Sequence, residues 1–252
     1  MNQISIFIIC KNEERIIDSC LSQAAKLAHE IIIVDSGSTD STLEICKKYT
    51  DKIFHQDWLG FGKQKNIALE HCSNEWVLSL DSDEVLSDQL INEIKALNLP
   101  IIASTQDFSL NPDSFLLARK LFIGKKEIKH GGFYPDYQLR LFRKSKGKFC
   151  SSPVHESVEL KDENGIFNKN RNGIQILKTP LEHYAYEDLE DLERTFNKYA
   201  SLSTRKQNTR KAYTSALFTF LYKYIIRLGF LDGLIGLKLA LINAKYNFKK
   251  YA

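Results

Sequence analysis

Asp81, Ser82, Asp83 and Glu84 form an acidic cluster directly after the apolar run Glu75–Leu80 (EWVLSL). Two carboxylates two residues apart project toward the same side while the chain stays extended. Hard oxygen ligands of this kind suit Mg2+ or Mn2+, and such an ion also bridges substrate phosphates. The same residues suit a second role, because Ser82, Asp83 and Glu84 would cap a helix that follows. The spacing alone is even-handed between the two. A further acid, Asp35, closes another apolar run, Glu30–Asp35 (EIIIVD). Alone, it is as readily a turn residue as a ligand contact. In an open parallel sheet, however, ligands bind outside the carboxyl ends of the strands, and both acids fall at such ends.

The elements that would position these acids are legible as a rhythm. Ile4–Cys10 (ISIFIIC) is a continuous β-branched and aromatic run, the pattern of a buried parallel strand. A polar loop, Lys11–Glu13, leads into a helical pattern over residues 14–28. The strand Glu30–Asp35 is followed by a small polar loop at 36–40, rich in capping residues, and a helix over 41–49. A short strand at Lys52–His55, a helix over 60–71 and the strand before Asp81 complete four strand–helix alternations. One more helix is expected over 86–98. After Pro100 the rhythm loosens into mixed α/β, with strands at Ser114–Lys120, Tyr137–Arg143 and Ile174–Lys178, and the chain turns helical from Leu189.

Composition agrees with a folded enzyme-sized chain: 252 residues, 43% hydrophobic and 26% charged, enough for one substantial core with an appended lobe. The net charge of +4 is unevenly spread. From Thr195 onward there are eleven bases against the single acid Asp232, a local +10, which leaves −6 for the preceding residues. Such a tail points to an anionic partner. The five cysteines have no C-x-x-C spacing, so neither a disulfide framework nor a zinc site is expected, and a reducing cytoplasm fits. No basic segment precedes the first apolar run, and no uninterrupted apolar stretch is long enough to cross a bilayer.

Several segments, taken in order, resemble family 2 glycosyltransferases of the GT-A fold. They are IIC-KNE at 8–13, IIIVDSGSTDST at 31–42, GFGKQKNIAL at 60–69 and EWVLSLDSDE at 75–84. The likeness continues through GGFYPDYQLRLFRK at 131–144, SPVHESV at 152–158, LEHYAY at 181–186 and YIIRLGFLDGLIGLKLA at 224–240. The later segments resemble the bacterial lipopolysaccharide core β-1,4-glucosyltransferases that act on heptose. The resemblance implies a mostly parallel, Rossmann-like mixed sheet with a C-terminal helical extension. A catalytic domain is then expected over 1–188, with a nucleotide-binding half at 1–98 and an acceptor half at 99–188, followed by a helical tail at 189–252.

The resemblance also implies roles. Asp35 would bond the nucleotide base, Lys65 would lie near the nucleotide, Asp81 would contact ribose or metal, and Asp83 would hold a divalent ion on the diphosphate of a UDP-sugar. An inverting transfer needs one carboxylate as base. The family usually supplies it from a Glu-Asp pair, which is missing between Asp83 and His183 here. Glu156 is the nearest match and Asp136 its rival, and His183 lies at the spacing of a further metal ligand. His155 and Glu156 are equally a surface polar pair by sequence. Arg140 and Arg143 suit phosphate binding, or a plain basic flank on a strand.

The tail reads as basic amphipathic helices. Lys223 and Arg227 stand at i, i+4, while Lys238, Lys245 and Lys249 share a face. With a lipid-linked saccharide as acceptor, residues 205–250 are expected on the anionic inner face of the cytoplasmic membrane. The alternative is a helical hairpin packed on the core. A sugar-nucleotide pyrophosphorylase would share the sheet and the acids, but would be expected to open on a glycine-rich loop, and residues 8–14 hold no glycine. A nucleic-acid module would leave Asp35, Asp81 and Asp83 without a purpose, so no nucleic acid partner is expected. An inactive glycosyltransferase-like scaffold would lack metal-dependent turnover of a nucleotide-sugar.

Overall fold

The computed structural model describes residues 2–97, 99, 112–150, 156–162, 165–168, 174–201 and 208–251. His155, Arg205 and Lys206 lie outside them. Strand and helix alternate through β1 (Ile4–Cys10), α1 (Ile17–Ala24), β2 (Glu30–Asp35), α2 (Thr42–Cys46), β3 (Ile53–His55), α3 (Phe61–Glu70) and β4 (Trp76–Asp81). The two-residue strand β5 (Glu84–Val85) and α4 (Asp88–Ala96) follow. Then come β6 (Ser114–Ile123), β7 (Lys126–Ile128), β8 (Asp136–Arg143), β9 (Gly147–Phe149), β10 (Val158–Lys161), β11 (Phe167–Asn168), β12 (Gln175–Ile176) and β13 (Leu181–Tyr186). The chain ends in α5 (Leu189–Ser201), α6 (Thr209–Leu221) and α7 (Gly233–Lys249).

These elements form two compact units. One comprises Met1–Ala118 with Tyr137–Glu182, the other Arg119–Asp136 with His183–Ala252. In the first unit the sheet runs in the order β3-β2-β1-β4-β8-β6. Its first four strands are parallel, and β8 runs antiparallel to β4. β1 is buried along its whole length, as a continuous apolar run requires when both faces of the sheet are covered. Its side chains alternate. Ile4, Ile6 and Ile8 pack with Leu21 of α1 and Ile91 of α4, while Phe7 and Ile9 pack with Ala68 of α3 and Phe149 of β9. Each large side chain buried this way contributes about 1.5–3 kcal/mol. A second, three-stranded antiparallel sheet, β11-β10-β9, has no counterpart in the sequence reading. Its strands are two to four residues long, too short for a periodicity to register.

The second unit begins at the outer half of β6, which pairs with β7 in a hairpin. Its core is Leu121, Ile123, Ile128, Leu192 and Leu239. The expected continuous basic helices take another form. After α6 the backbone widens into a π-helical turn, Tyr222–Ile226, and Leu228 adopts a left-handed conformation (φ 57°). A 3-10 turn, Gly229–Asp232, then leads into α7. Gly236 permits this reversal, since a Cβ there would sit 1.9 Å from the Gly229 carbonyl oxygen. The reversal is held by the loop after β7. The His130 N–H donates to Asp232 Oδ2 at 2.9 Å, and the Gly131 N–H donates to the Arg227 carbonyl at 2.8 Å. Lys223 donates to the Gly131 carbonyl at 3.1 Å and lies 4.0 Å from the Phe133 ring centroid. Two of the lysines expected on an open face of α7 are engaged: Lys245 pairs with Glu193 of α5, and Lys249 donates to Asn197 Oδ1 at 2.8 Å. Among the described residues no helix is long and apolar enough to cross a membrane.

Candidate active site

Parallel pairing brings the strand-end acids together. Cys10 is the register partner of Asp35, and Ile9 that of Asp81, so the two acids flank the end of β1. Asp35 is buried. It accepts from the backbone N–H of Gly37 at 2.8 Å and of Ser38 at 2.9 Å, and from the Ser38 hydroxyl. These bonds fold the loop after β2 back onto its own strand. That loop is fastened to the loop after β1. The Asn12 N–H donates to Ser38 Oγ at 2.9 Å, Thr39 N–H to Asn12 Oδ1 at 2.8 Å, and Glu13 N–H to Thr42 Oγ1 at 2.7 Å. Asn12 stands in the left-handed region (φ 56°), which asparagine tolerates better than most residues.

Three consecutive residues of α3 hold the edge from a third side. Successive helical residues point about 100° apart, and Gln64, Lys65 and Asn66 use that divergence. Gln64 Nε2 donates to Ser36 Oγ and to the Gln56 carbonyl, each at 2.9 Å, tying α3 to the Asp35 loop. Asn66 exchanges two 2.9 Å bonds with the backbone of Phe149 and so fixes β9. Between them Lys65, 1% exposed, places its ammonium 2.7 Å from Asp81 Oδ1 and 2.7 Å from Glu156 Oε1. An ammonium on this stem is expensive to bury, and it is tolerated because both carboxylates face it.

Arg140, 4% exposed on β8, extends the chain of charges by pairing with the other Asp81 oxygen and with buried Glu84. Against the desolvation cost of its burial, the charges of Asp81 and Glu84 push its pKa further up, so it stays a cation. Glu84 also accepts from the Asp81 N–H at 2.9 Å, which shapes the turn that carries Asp83. Glu156, Lys65, Asp81, Arg140 and Glu84 thus alternate in sign, with three carboxylates to two cations. A further acid stands nearby. Burial, and next the negative charge of Asp83, push Glu13 up to about 7, partly offset by a bond from Ser82. The positive charge of Arg15 offsets it as well.

Among the described residues no three His, Cys, Asp or Glu side chains gather as a ligand cage. The donor set fits an ion of another kind, held by one or two carboxylates and by the phosphates of a bound substrate. Asp83, carried on the turn that Glu84 shapes, is a carboxylate of that kind.

Of the expected site residues, the structure brings Lys65, Asp81, Glu156 and Arg140 into one cluster. Asp83 follows two residues after Asp81. Arg143 is not part of it. Three residues along a strand lie about 10 Å apart and on opposite faces. Arg143 is the register partner of Trp76 at the start of β4, pairs with Asp113 at 2.7 Å and stacks 4.8 Å over the Trp76 ring. Asp136 belongs to the second unit, where Arg119 Nε donates to it at 2.8 Å. His183, the ligand that the resemblance implies, lies on β13 in the second unit. Glu13, Gln64 and Asn66 were not singled out by sequence, although each lies inside a quoted motif, and Glu84 was read only as part of the acidic cluster or as a helix cap.

A family model described as Glycosyl transferase family 2 matches residues 5–145, more than half of the chain. An uncharacterized glycosyltransferase of Rickettsia typhi is 32% identical over 268 residues, covering 100% of this chain and 86% of its own. The lipopolysaccharide core biosynthesis glycosyltransferase LpsC of Rhizobium meliloti is 30% identical over 240 residues, with 92% of this chain and 82% of its own covered. Among solved structures, residues 1–349 of TarS from S. aureus align with a TM-score of 0.48 at 20% identity, over 98% of this chain and 80% of that one. By its family match and its relatives, the chain belongs to glycosyl transferase family 2 and is a glycosyltransferase.

Proposed function

We propose that the enzyme transfers a sugar from a nucleotide-sugar, glucose from UDP-glucose, to a lipid-linked saccharide such as the inner core of lipopolysaccharide, with inversion at the anomeric carbon. The position of Lys65 carries this reading. Its ammonium draws Glu156, 91 residues further along the chain, to the strand-end acid Asp81. An inverting displacement needs that pairing of donor-side acids with a carboxylate able to take a proton.

Asp35 reads the nucleotide base and Asp81 the ribose. Asp83 holds a divalent ion, Mg2+ or Mn2+, and such an ion, when bound, neutralises charge that builds on the leaving diphosphate. Glu156 takes the proton of the attacking acceptor hydroxyl. The hydroxyl oxygen bonds to the anomeric carbon on the face opposite the diphosphate. The bond from that carbon to the phosphate oxygen breaks, and its electron pair leaves with UDP. Lys65 neutralises the repulsion between Asp81 and Glu156, which lets both carboxylates stand at one edge. The acceptor class is supported by the name of the relative LpsC and by the +10 charge from Thr195 onward, which suits the anionic inner face of the cytoplasmic membrane.

The test is kinetic. Glu156→Gln should lower kcat by about 10²–10⁴-fold, while UDP-glucose with Mn2+ still raises the melting temperature. Near-normal turnover in that variant removes Glu156 as the base. A melting temperature indifferent to UDP-sugars and metal removes the donor assignment.

A further inference from the structure

Between Leu217 and Leu234 the chain holds a dense run of Leu, Ile, Phe and Tyr, and none of those side chains is buried. Phe218 is 65% exposed, Ile226 64% and Leu234 79%. This run is the tip of a helical hairpin: the end of α6, the π turn, the 3-10 turn and the start of α7. The tip is not slack. The bonds from His130 to Asp232, from Gly131 to the Arg227 carbonyl and from Lys223 to the Gly131 carbonyl anchor it to the loop after β7. Apolar side chains are therefore displayed on a fixed scaffold, in a patch of the kind that marks an interaction surface.

Charge is arranged along the hairpin rather than around it. Exposed Arg210 and Lys211 open α6, and exposed Lys245 and Lys249 lie in the last turns of α7. At about 1.5 Å per residue, Arg210 stands roughly 16 Å from the apolar end of its helix, and Lys249 roughly 22 Å from Leu234. A helix that lies flat on a bilayer needs its polar and apolar residues on opposite faces. This hairpin instead gathers most of its exposed apolar side chains at one end, with Tyr213 and Leu241 exposed outside it and Arg227 exposed within it. The bases near the tip suit headgroup level: Arg227 is exposed, and Lys238 has a long stem on which to reach out of an apolar layer. Asp232, the lone acid from Thr195 onward, is turned inward to His130.

We infer that the hairpin tip, Leu217–Leu234, inserts end-on into the outer apolar layer of an anionic bilayer, with the distal bases left at or beyond the headgroups. This rests on the lipid-linked acceptor proposed above and changes how the tail meets the membrane: apolar insertion holds it, and charge only guides it there.

The test uses the full chain and flotation on phosphatidylcholine–phosphatidylglycerol vesicles. The wild type should stay bound in about 1 M salt, where the screening length is about 3 Å. A variant carrying Phe218→Ser, Ile226→Ser, Leu231→Ser and Leu234→Ser should float only at low salt. Its bound fraction at high salt should fall at least about tenfold, with transfer to a soluble saccharide acceptor unchanged. Ile226→Trp, which keeps the tip apolar, should gain emission that acyl-brominated lipid quenches. Salt release of wild type and tip variant alike, or an unquenched bound Trp, overturns insertion and leaves the membrane reading standing. A wild type that binds no vesicle overturns both. A dimer in light scattering that the tip variant dissolves, without vesicle binding, assigns the surface to a second copy and overturns the bilayer.

Discussion

In the first unit charged groups go inside. Lys65, Arg140 and Glu84 are as inaccessible as the isoleucines of β1. In the second unit apolar groups stay outside, and an eighteen-residue stretch buries none of its large side chains. A buried ion is stable only beside counter-charges already in place, so the first unit holds a preorganised cluster of paired charges. An exposed apolar side chain adds little to the fold and remains available to a partner. The two units should therefore break in opposite ways. The first fails when a charge is removed. The second tolerates loss of its displayed side chains and fails when its close backbone contacts are spread.

The largest effect is expected at Arg140. Arg140→Met keeps most of the volume but removes a cation from buried Glu84 and from Asp81 beside it. Breaking a buried pair from one side costs about 3–5 kcal/mol. Denaturant unfolding should register that loss, and turnover should fall with it because Asp81 loses one of the cations that hold it. A variant as stable as the parent would show that these charges are not compensated in the way described.

In the second unit the comparable weak point carries no charge. Gly236→Ala would put a methyl group 1.9 Å from the Gly229 carbonyl oxygen, a backbone atom that cannot swing aside. Overpacking of this kind costs about 1–3 kcal/mol. Amide exchange should accelerate in α7 and leave β1 protected. By contrast Leu234→Ser, at a side chain 79% exposed, should change stability by less than about 0.5 kcal/mol. If the glycine variant is silent, or the loss spreads equally to β1, the second unit does not depend on that contact.

The same contrast governs what the sequence discloses. β1, β2 and β4 are continuous apolar runs ending in polar loops, so their burial, parallel pairing and terminal acids are all legible. Lys65 could be named only through the family resemblance, because a helix-face lysine is ordinarily solvated and nothing local says that two carboxylates will meet it. The pairing of Glu84 with Arg140 was hidden for the same reason, since it joins positions 56 residues apart. The tail misled in a different way. Its bases at helical spacing suggest a face, but spacing is blind to the glycine contact that folds α6 back on α7 and gathers most of the exposed apolar side chains at one end. Local pattern specifies elements, and the long-range ionic and backbone contacts specify what those elements display.

A pH-dependent effect tests whether buried charge in the first unit is reserved for the strand ends that carry Asp35 and Asp81. Glu30, at the opposite end of β2 from Asp35, takes a bond from the Ser73 N–H at 2.6 Å, one from the Ser73 hydroxyl at 2.7 Å, and pairs with Lys52. Against the desolvation of partial burial, the bonds from Lys52, Ser5 and Ser73 hold it down to about 2, from 4.5 in the unfolded chain. Between those values the folded state binds fewer protons than the unfolded one, so the stabilisation is complete above pH 4.5 and disappears as pH falls toward 2. Glu30→Gln should therefore destabilise the fold near neutral pH, and the gap to the parent should close as acid is added. Because Glu30 lies away from the acidic cluster, kcat should not move. A gap independent of pH would mean that the carboxylate acts through shape alone, and a fall in kcat would mean that the two ends of β2 are coupled.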